Sequence, residues 1–240
     1  MTVLFISDLH LCAKRPKTSE LFLNFLETEA SKAEALYILG DFFDVWVGDD
    51  NQDSHDANII TALAKLTQQG VPVYFMQGNR DFLIGNNFIQ AINGHLLTDP
   101  MVLFLNQEPI LLTHGDELCT LDKKYQLFRK IVRHPTVIKI FLKLPLTWRR
   151  AIAQFLRSRS SRRPPSHDKN PRHWDVAQSA VYHLMRENKA YTLIHGHTHQ
   201  PNIHEFMLDG HTAKRIVLGD WGDRGSVLAY SSEGPVLKQI

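Results

Sequence analysis

Cysteine is nearly missing from this 240-residue chain, which carries only Cys12 and Cys119. Two thiols so far apart make no disulfide framework and fit a reducing compartment. No uncharged apolar run approaches the ~20 residues that a bilayer core requires, which excludes a spanning helix. The opening Met-Thr-Val-Leu-Phe-Ile-Ser-Asp-Leu-His has no basic n-region and no cleavage site, so no signal peptide is expected. A P-loop, a Rossmann glycine fingerprint and a Ser-His-Asp nucleophile pattern are also missing. What is present is ordinary for a soluble globular chain: 43% hydrophobic, 22% charged and 10% aromatic residues. That composition excludes a disordered, collagen or coiled-coil protein. The length suits one α/β domain with an inserted segment and is too short for two full domains.

The net charge of +2 conceals an asymmetry. From Lys123 to Arg172 there are 15 Lys and Arg against one acid, Asp168, so this segment is +14 and the remainder −12. Such a block suggests an anionic partner: nucleic acid, an anionic membrane face or a phosphorylated substrate. The plainer reading is a solvated helical face. Between about Asp122 and Trp174 the cations interleave with Phe128, Ile131, Val132, Ile138, Phe141, Leu142, Leu144, Leu146, Trp148, Ile152, Phe155 and Leu156. Pro135 and Pro145 divide the stretch into short helices. The Ser/Arg/Pro-rich Arg157–Pro171 reads as a loop.

Elsewhere short apolar runs alternate with amphipathic stretches. Val3–Ile6, Ala35–Leu39, Val71–Met76 and Tyr191–Ile194 read as strands. Leu21, Phe22, Phe25 and Leu26 recur at helical spacing behind Thr18/Ser19 as a potential cap, and Ile59, Ile60, Leu63 and Leu66 predict a second helix ending at Gly70. Met101–Leu105 and Pro109–Thr113 flank Asn106-Gln107 as a hairpin. Ile203–Leu208 and Ala213–Leu218 flank Asp209-Gly210 as another. The pattern predicts an α/β (α+β) layered fold with mixed sheets.

Polar residues cluster where these strands end. Asp8 and His10 follow the first, Asp41 and Asp44 the second, and Asn79, Arg80 and Asp81 the third; His114 ends a hairpin strand, and His195, His197 and His199 follow a late one. Ligands of open α/β sheets collect beyond the carboxyl ends of strands. Taken singly, each motif is more often a turn, an N-cap or a structural histidine, except His195-Gly-His-Thr-His199, where three histidines fall within five residues. Together they form a metal-site inventory. Imidazole suits Zn, Fe or Mn-like ions, whereas carboxylate and amide oxygens favour harder ions such as Mn²⁺. Seven ligands exceed one tetrahedral ion and suit two ions bridged by a carboxylate.

Asp8-Leu-His10, Gly40-Asp41-Phe-Phe-Asp44, Gly78-Asn79-Arg80-Asp81, His114-Gly115-Asp116 and Gly196-His197-Thr-His199 resemble the motifs of calcineurin-like metallophosphoesterases. The longer strings Ser-Asp-Leu-His-Leu, Leu-Tyr-Ile-Leu-Gly-Asp, Gly-Asn-Arg-Asp-Phe-Leu, His-Gly-Asp-x-Leu-Cys-Thr and Leu-Ile-His-Gly-His-Thr-His-x-Pro are similar to those of the UDP-2,3-diacylglucosamine diphosphatases of lipid A biosynthesis. The resemblance spans essentially the whole chain. It implies a four-layer αββα sandwich of two mixed sheets flanked by helices, one domain over 1–240, with an inserted basic and apolar helical cap at about 122–173. It implies two Mn²⁺ per chain: Asp8, His10, Asp41 and His199 on one, and Asp41, Asn79, His114 and His197 on the other. Asp41, Asn79, Arg80 and His114 would be catalytic. Asn79, Arg80, Asp122, Ser160, Lys169 and His197 would contact substrate, Lys169 matching when two extra residues are placed within Arg162–Ser166. His195, Asp44, Asp81 and Asp116 would orient ligands.

The implied reaction is hydrolysis of UDP-2,3-diacylglucosamine by metal-activated water at the α-phosphorus, giving UMP and 2,3-diacylglucosamine 1-phosphate. It places the protein peripherally on the cytoplasmic face of a bacterial inner membrane, with no nucleic-acid partner. In the insert, inward apolar residues would pack and one face would line a slot for acyl chains, while cations meet phosphates or headgroups. Two rivals differ in what they require. A nuclease or cyclic-nucleotide phosphodiesterase on the same dimetal core would expose polar and stacking residues along the basic groove, which the Leu, Ile and Phe of the insert do not supply. A non-catalytic interaction module would lack ligands, and all seven are present.

Overall fold

The computed structural model describes residues 2–161 and 175–240. Along the chain lie β1 (Thr2–Ile6), α1 (Pro16–Thr28), β2 (Ala35–Leu39), α2 (Ser54–Gln68), β3 (Val73–Met76), α3 (Asn86–Ala91), β4 (His95–Leu97), β5 (Met101–Leu105) and β6 (Glu108–Thr113). Three helices follow, α4 (Lys123–Val132), α5 (Pro135–Leu142) and α6 (Leu146–Ser161). The chain ends with α7 (Gln178–Glu187), β7 (Thr192–His195), β8 (Asn202–Leu208), β9 (His211–Val217), β10 (Ser226–Ser231) and β11 (Gly234–Gln239). Single turns of 3-10 helix occupy Ala30–Lys32 and Asp116–Leu118.

The strands form a six-stranded sheet, β11-β10-β1-β2-β3-β4, and a five-stranded sheet, β5-β6-β7-β9-β8. Both are mixed. β1–β4 run parallel and β10–β11 pair antiparallel, while β6, β7 and β9 are parallel and flanked by antiparallel β5 and β8. The runs of β1, β2 and β3 are largely apolar because both faces of these strands are covered. In β1, Val3 and Phe5 point to the seam between the sheets, where Tyr37, Leu39, Met76, Ile110, Leu112, Ile194 and Ile216 meet them. Leu4 and Ile6 point the other way, onto Phe22 and Phe25 of α1 and into the core that Ile59 and Leu63 of α2 complete. The outer face of the second sheet, with Leu111 and Leu193, takes Val181 and Met185 of α7. The order of layers is therefore helix, sheet, sheet, helix.

Several boundaries differ from expectation. α1 begins at Pro16, whose fixed φ suits the first helical position, so Thr18 and Ser19 lie inside the helix rather than capping it. The Ser19 hydroxyl instead pairs with His55 Nε2 at 2.8 Å. The third strand starts at Val73, after Pro72, because proline has no N–H for the ladder. The β7 strand starts one residue later than the periodicity suggests. Residues Arg157–Ser161 continue α6 rather than opening a loop, and the remainder of that expected loop, through Pro171, lies outside the described residues. Both hairpins follow their turn chemistry: Asn106 and Gln107 have φ of 51° and 68°, and Asp209 and Gly210 of 51° and 81°, the left-handed pair that a two-residue hairpin turn needs.

Helices α4–α6 sit between β6 and β7 in sequence, and α4 and α5 bury none of their residues fully. They are tied to the body by ion pairs. Arg149 of α6 is 2% exposed and bonds the Val47 carbonyl and both oxygens of Asp50, and Arg157 pairs with Asp44 at 2.6 Å. Among the described residues no helix is long and apolar enough to cross a membrane.

Candidate active site

The carboxyl ends of β1, β2 and β3 from one sheet and of β6 and β7 from the other converge on one spot. Backbone bonds lock the loops together: Asp8 N–H donates to the Gly40 carbonyl at 3.1 Å, His10 N–H to Asp41 at 3.0 Å and Gly196 N–H to His114 at 3.0 Å. The result is two adjoining groups of metal-competent atoms, Asp8, His10 and His199 in one and Asp41, His114 and His197 in the other. Asn79 Oδ1 lies 3.0 Å from His114 Nε2, and Asp41 Oδ1 lies 3.6 Å from the same nitrogen. The structure thus brings together all seven residues proposed as ligands.

Asp8, His10, Asp41, His197 and His199 have φ between 50° and 70°, the left-handed region that non-glycine residues enter rarely. Each such residue costs on the order of 1–3 kcal/mol and persists where its surroundings over-determine it. The glycines beside them serve close approach. A Cβ on Gly78 would overlap the Asp41 backbone nitrogen, and one on Gly196 would overlap the Ser7 hydroxyl. This is the physical content of the Gly-Asp, Gly-Asn and Gly-His pairs.

Asp81 works through the backbone: its carboxylate accepts from the N–H of Gly78 (2.7 Å), Phe42 (2.7 Å), Phe43 (3.3 Å) and Asp41 (3.3 Å), joining the β2 and β3 loops. The other three residues proposed to orient ligands make the following contacts. Asp44 pairs with Arg157 and lies 3.9 Å from Arg80. Asp116 is buried and holds α4, accepting from Tyr125 Oη at 2.9 Å, Arg129 Nε at 2.8 Å and Arg133 Nη2 at 3.4 Å. His195 donates from Nδ1 to the Gly196 carbonyl at 2.8 Å, and its Nε2 is buried without a hydrogen-bond partner.

The electrostatics call for added positive charge. Burial, with Asp8 and Asp81 close by, pushes the Asp41 carboxyl up to about 7 against the pull of His114 and Arg80. Burial also opposes ionisation of Asp8, but hydrogen bonding to His199 and the charge of His114 hold its carboxyl well below the usual range. Burial drives the imidazole of His10 down to about 2, with Arg80 adding to the effect, and that of His197 down to about 3, so both are neutral with free lone pairs near neutral pH. Burial disfavours protonated His114 too, yet Asp41, Asp8 and Asp116 raise it to about 9. Its Nδ1 donates to the Leu39 carbonyl at 2.9 Å, which turns Nε2 toward the site. His10 and His199 face each other through Nε2 at 3.3 Å, and Asp8 Oδ1 is buried 3.3 Å from His199 Nε2. Imidazole nitrogens converging on buried carboxylates fit a divalent cation, whose charge would displace the protons these groups otherwise attract.

Arg80 lies beside the groups, with Nε 3.5 Å from Asp41 Oδ2. Asp122 stands at the N-terminus of α4, where its carboxylate accepts from Tyr125 N–H at 2.9 Å. Ser160 belongs to the last turn of α6, its side chain lying outside the described residues, and Lys169 lies outside them altogether. The motifs did not reveal Tyr125, whose ring stacks on His197 at 6.2 Å, or Arg129 and Arg133; only helical spacing four apart from Tyr125 hinted that all three share a face.

A family model described as calcineurin-like phosphoesterase matches residues 1–201. The UDP-2,3-diacylglucosamine hydrolase of Aeromonas hydrophila is 47% identical over 228 residues, covering 95% of this chain and 94% of that protein. The protein of the same name from Coxiella burnetii is 48% identical over 233 residues, covering 96% and 94%. A solved structure described as a novel archaeal phosphodiesterase superposes with a TM-score of 0.50 at 14% identity, covering 100% of this chain and 99% of its own, and shares the fold.

Replacing Asp116 by alanine strands Arg129 and Arg133 without their buried partner. Breaking such a pair costs about 3–5 kcal/mol, and since both arginines are one-fifth exposed a loss of about 3 kcal/mol in urea unfolding is expected. A loss below about 0.5 kcal/mol, the size of an ordinary surface change, would contradict this anchoring role.

Proposed function

The chain belongs to the calcineurin-like phosphoesterase family, and on that footing we propose that it hydrolyses UDP-2,3-diacylglucosamine in lipid A biosynthesis. Water oxygen bonds to the α-phosphorus, the bond to the bridging oxygen breaks, and the products are UMP and 2,3-diacylglucosamine 1-phosphate. The observation that carries this substrate is a single cavity of about 460 Å³. Its lining joins Asn79 and Arg80 of the site to Phe128, Ile138, Phe141 and Ile152 of α4–α6. A diphosphate joined to acyl chains requires those two environments side by side.

Asp8, His10, Asp41 and His199 would hold one divalent ion and Asp41, Asn79, His114 and His197 a second, with Asp41 common to both; the mixture of imidazole and oxygen donors favours Mn²⁺. When bound, the ions supply Lewis acidity to the phosphoryl oxygens and acidify water near neutral pH. The protein's own groups do the rest. Arg80, held near Asp41 and Asp44, presents a permanently charged planar fork to the diphosphate. The Leu39 carbonyl fixes the His114 tautomer, so its Nε2 stays directed into the site. Asp122, Ser160 and Lys169 are assigned to substrate contact by the family resemblance.

We read α4–α6 as a cap inserted into a single domain. Its interior serves the acyl chains, at about 0.8 kcal/mol per buried CH₂. Its exterior exposes Leu127, Ile140, Trp148 and Phe155, each about 60% accessible, among lysines and arginines. That combination suits peripheral attachment to an anionic leaflet, where each cation near the surface adds about 1 kcal/mol.

The deciding experiment compares hydrolysis of UDP-2,3-diacylglucosamine with that of bis-p-nitrophenyl phosphate, with added Mn²⁺, for wild type, Asp41→Asn and His114→Ala. Fast metal-dependent UMP release that both variants lose, far exceeding turnover of the simple diester, is expected. Cleavage of the simple ester alone would leave the phosphoesterase core and remove the lipid substrate, and a steep salt dependence of DNA binding would then favour a nuclease. Filling the cavity by Ala153→Trp should displace about 2 kcal/mol of methylene burial and lower kcat/KM for the diacyl substrate roughly thirty-fold, with the simple diester unaffected. In sedimentation with anionic vesicles, the pair Trp148→Ser and Phe155→Ser should reduce the bound fraction several-fold; unchanged binding would argue against attachment through the cap.

A further inference from the structure

The segment after β9 runs Leu218-Gly219-Asp220-Trp221, another apolar strand ending in Gly-Asp. Its backbone is pinned along its length. Leu218 N–H donates to the His195 carbonyl at 2.8 Å, Gly219 N–H to the Ser226 hydroxyl at 3.0 Å and Trp221 N–H to the Asp8 carbonyl at 3.2 Å. Arg15 Nη2 donates to the Trp221 carbonyl at 2.7 Å. The Trp221 ring is fully buried, edge-on to Phe22 and Phe25 at 6.0 and 5.5 Å. The backbone of Asp220 is therefore fixed in place, and its side chain is half exposed.

That carboxylate faces the outer side of a candidate ligand. Asp220 Oδ2 is 3.6 Å from His199 Nδ1, an ion-pair separation. On the opposite side of the ring, His199 Nε2 is 3.3 Å from Asp8 Oδ1 and 3.3 Å from His10 Nε2. The imidazole lies between an outer carboxylate and an inner group of donors. A histidine that binds metal through one nitrogen usually presents its other N–H to a carboxylate or carbonyl, which sets the tautomer and the ring plane. For His114 the Leu39 backbone carbonyl has that task, and for His199 a side chain stands in its place.

We propose that Asp220 is a positioning residue for His199, holding Nδ1 as the outward N–H so that the Nε2 lone pair faces the ion shared with Asp8 and His10. This rests on the dimetal reading of the site and extends it by one residue. Loss of such a partner typically costs 10–100-fold in metal affinity, and the half-exposed position of Asp220 places it at about ten-fold.

The test is Mn²⁺ binding to the metal-free full chain, followed by calorimetry and by the electron paramagnetic resonance of free Mn²⁺. Wild type should bind two ions. Asp220→Asn should weaken one site about ten-fold and leave the other unchanged, Asp220→Glu should recover part of the loss, and Asp223→Asn on the same loop should change neither site. The metal-free Asp220→Asn protein should melt at the wild-type Tm, which separates positioning from folding. Two wild-type affinities in Asp220→Asn, or the same loss in Asp223→Asn, would overturn the assignment while leaving the dimetal reading intact. A wild-type chain that binds no Mn²⁺ would overturn both.

Discussion

Asp8 and Asp41 are carboxylates buried between two sheets, and most of the surrounding architecture follows from that condition. Burying a carboxylate without compensation is costly enough that it would rather take up a proton. The rise of Asp41 to about 7 and of His114 to about 9 is this cost expressed in the protein's own groups. Neutral His10 and His197 add lone pairs and no charge. A polypeptide keeps such an arrangement where a cation completes it. The same buried charge requires the loops to be held rigidly, since any slack would let the carboxylates turn out to water.

Rigidity comes from the backbone more than from side chains. The loops after β1, β2, β6 and β7 bond to one another through their main chains, and Asp81 gathers four N–H groups from the loops after β2 and β3. Glycines admit the close approach, and non-glycine residues accept left-handed φ because the surrounding bonds leave no alternative. The sheets behind the loops are well suited to this, with aromatic and branched side chains filled in on both faces.

The cap is built differently. Its helices are amphipathic and basic, bury little of themselves, and depend on a few arginines reaching Asp116, Asp50 and Asp44. Beneath those helices the interior stays open as a largely apolar cavity whose lining includes Arg80. A rigid charged centre beside a loosely packed, largely apolar annex matches a molecule that is ionic at one end and greasy at the other. Exposed Trp148 and Phe155 extend the same logic to the outside of the cap.

Much of this was legible in the sequence because strand runs and turn residues are local signals. β1, β2, both hairpins and the proline-divided helices lie where the pattern puts them, and each candidate ligand falls at a strand end. Three-residue β4 and six-residue α3 are too short to show a period, and the β10–β11 hairpin turns on Gly234 without an Asn-Gly or Asp-Gly signal. Thr18 and Ser19 misled because capping side chains are common one turn inside a helix that proline has started. By itself the sequence determined which residue types stand at the ends of which strands, and hence the chemistry available, because turn chemistry and apolar periodicity depend only on near neighbours. Tertiary structure alone decided which face of the cap looks inward, that Asp116 anchors α4, and that Asp220 meets His199. Those pairings rest on tertiary placement that near-neighbour patterns do not set: α4 folds back so that its side chains reach Asp116, and the pairing of β7 with β9 brings the loops that follow them together.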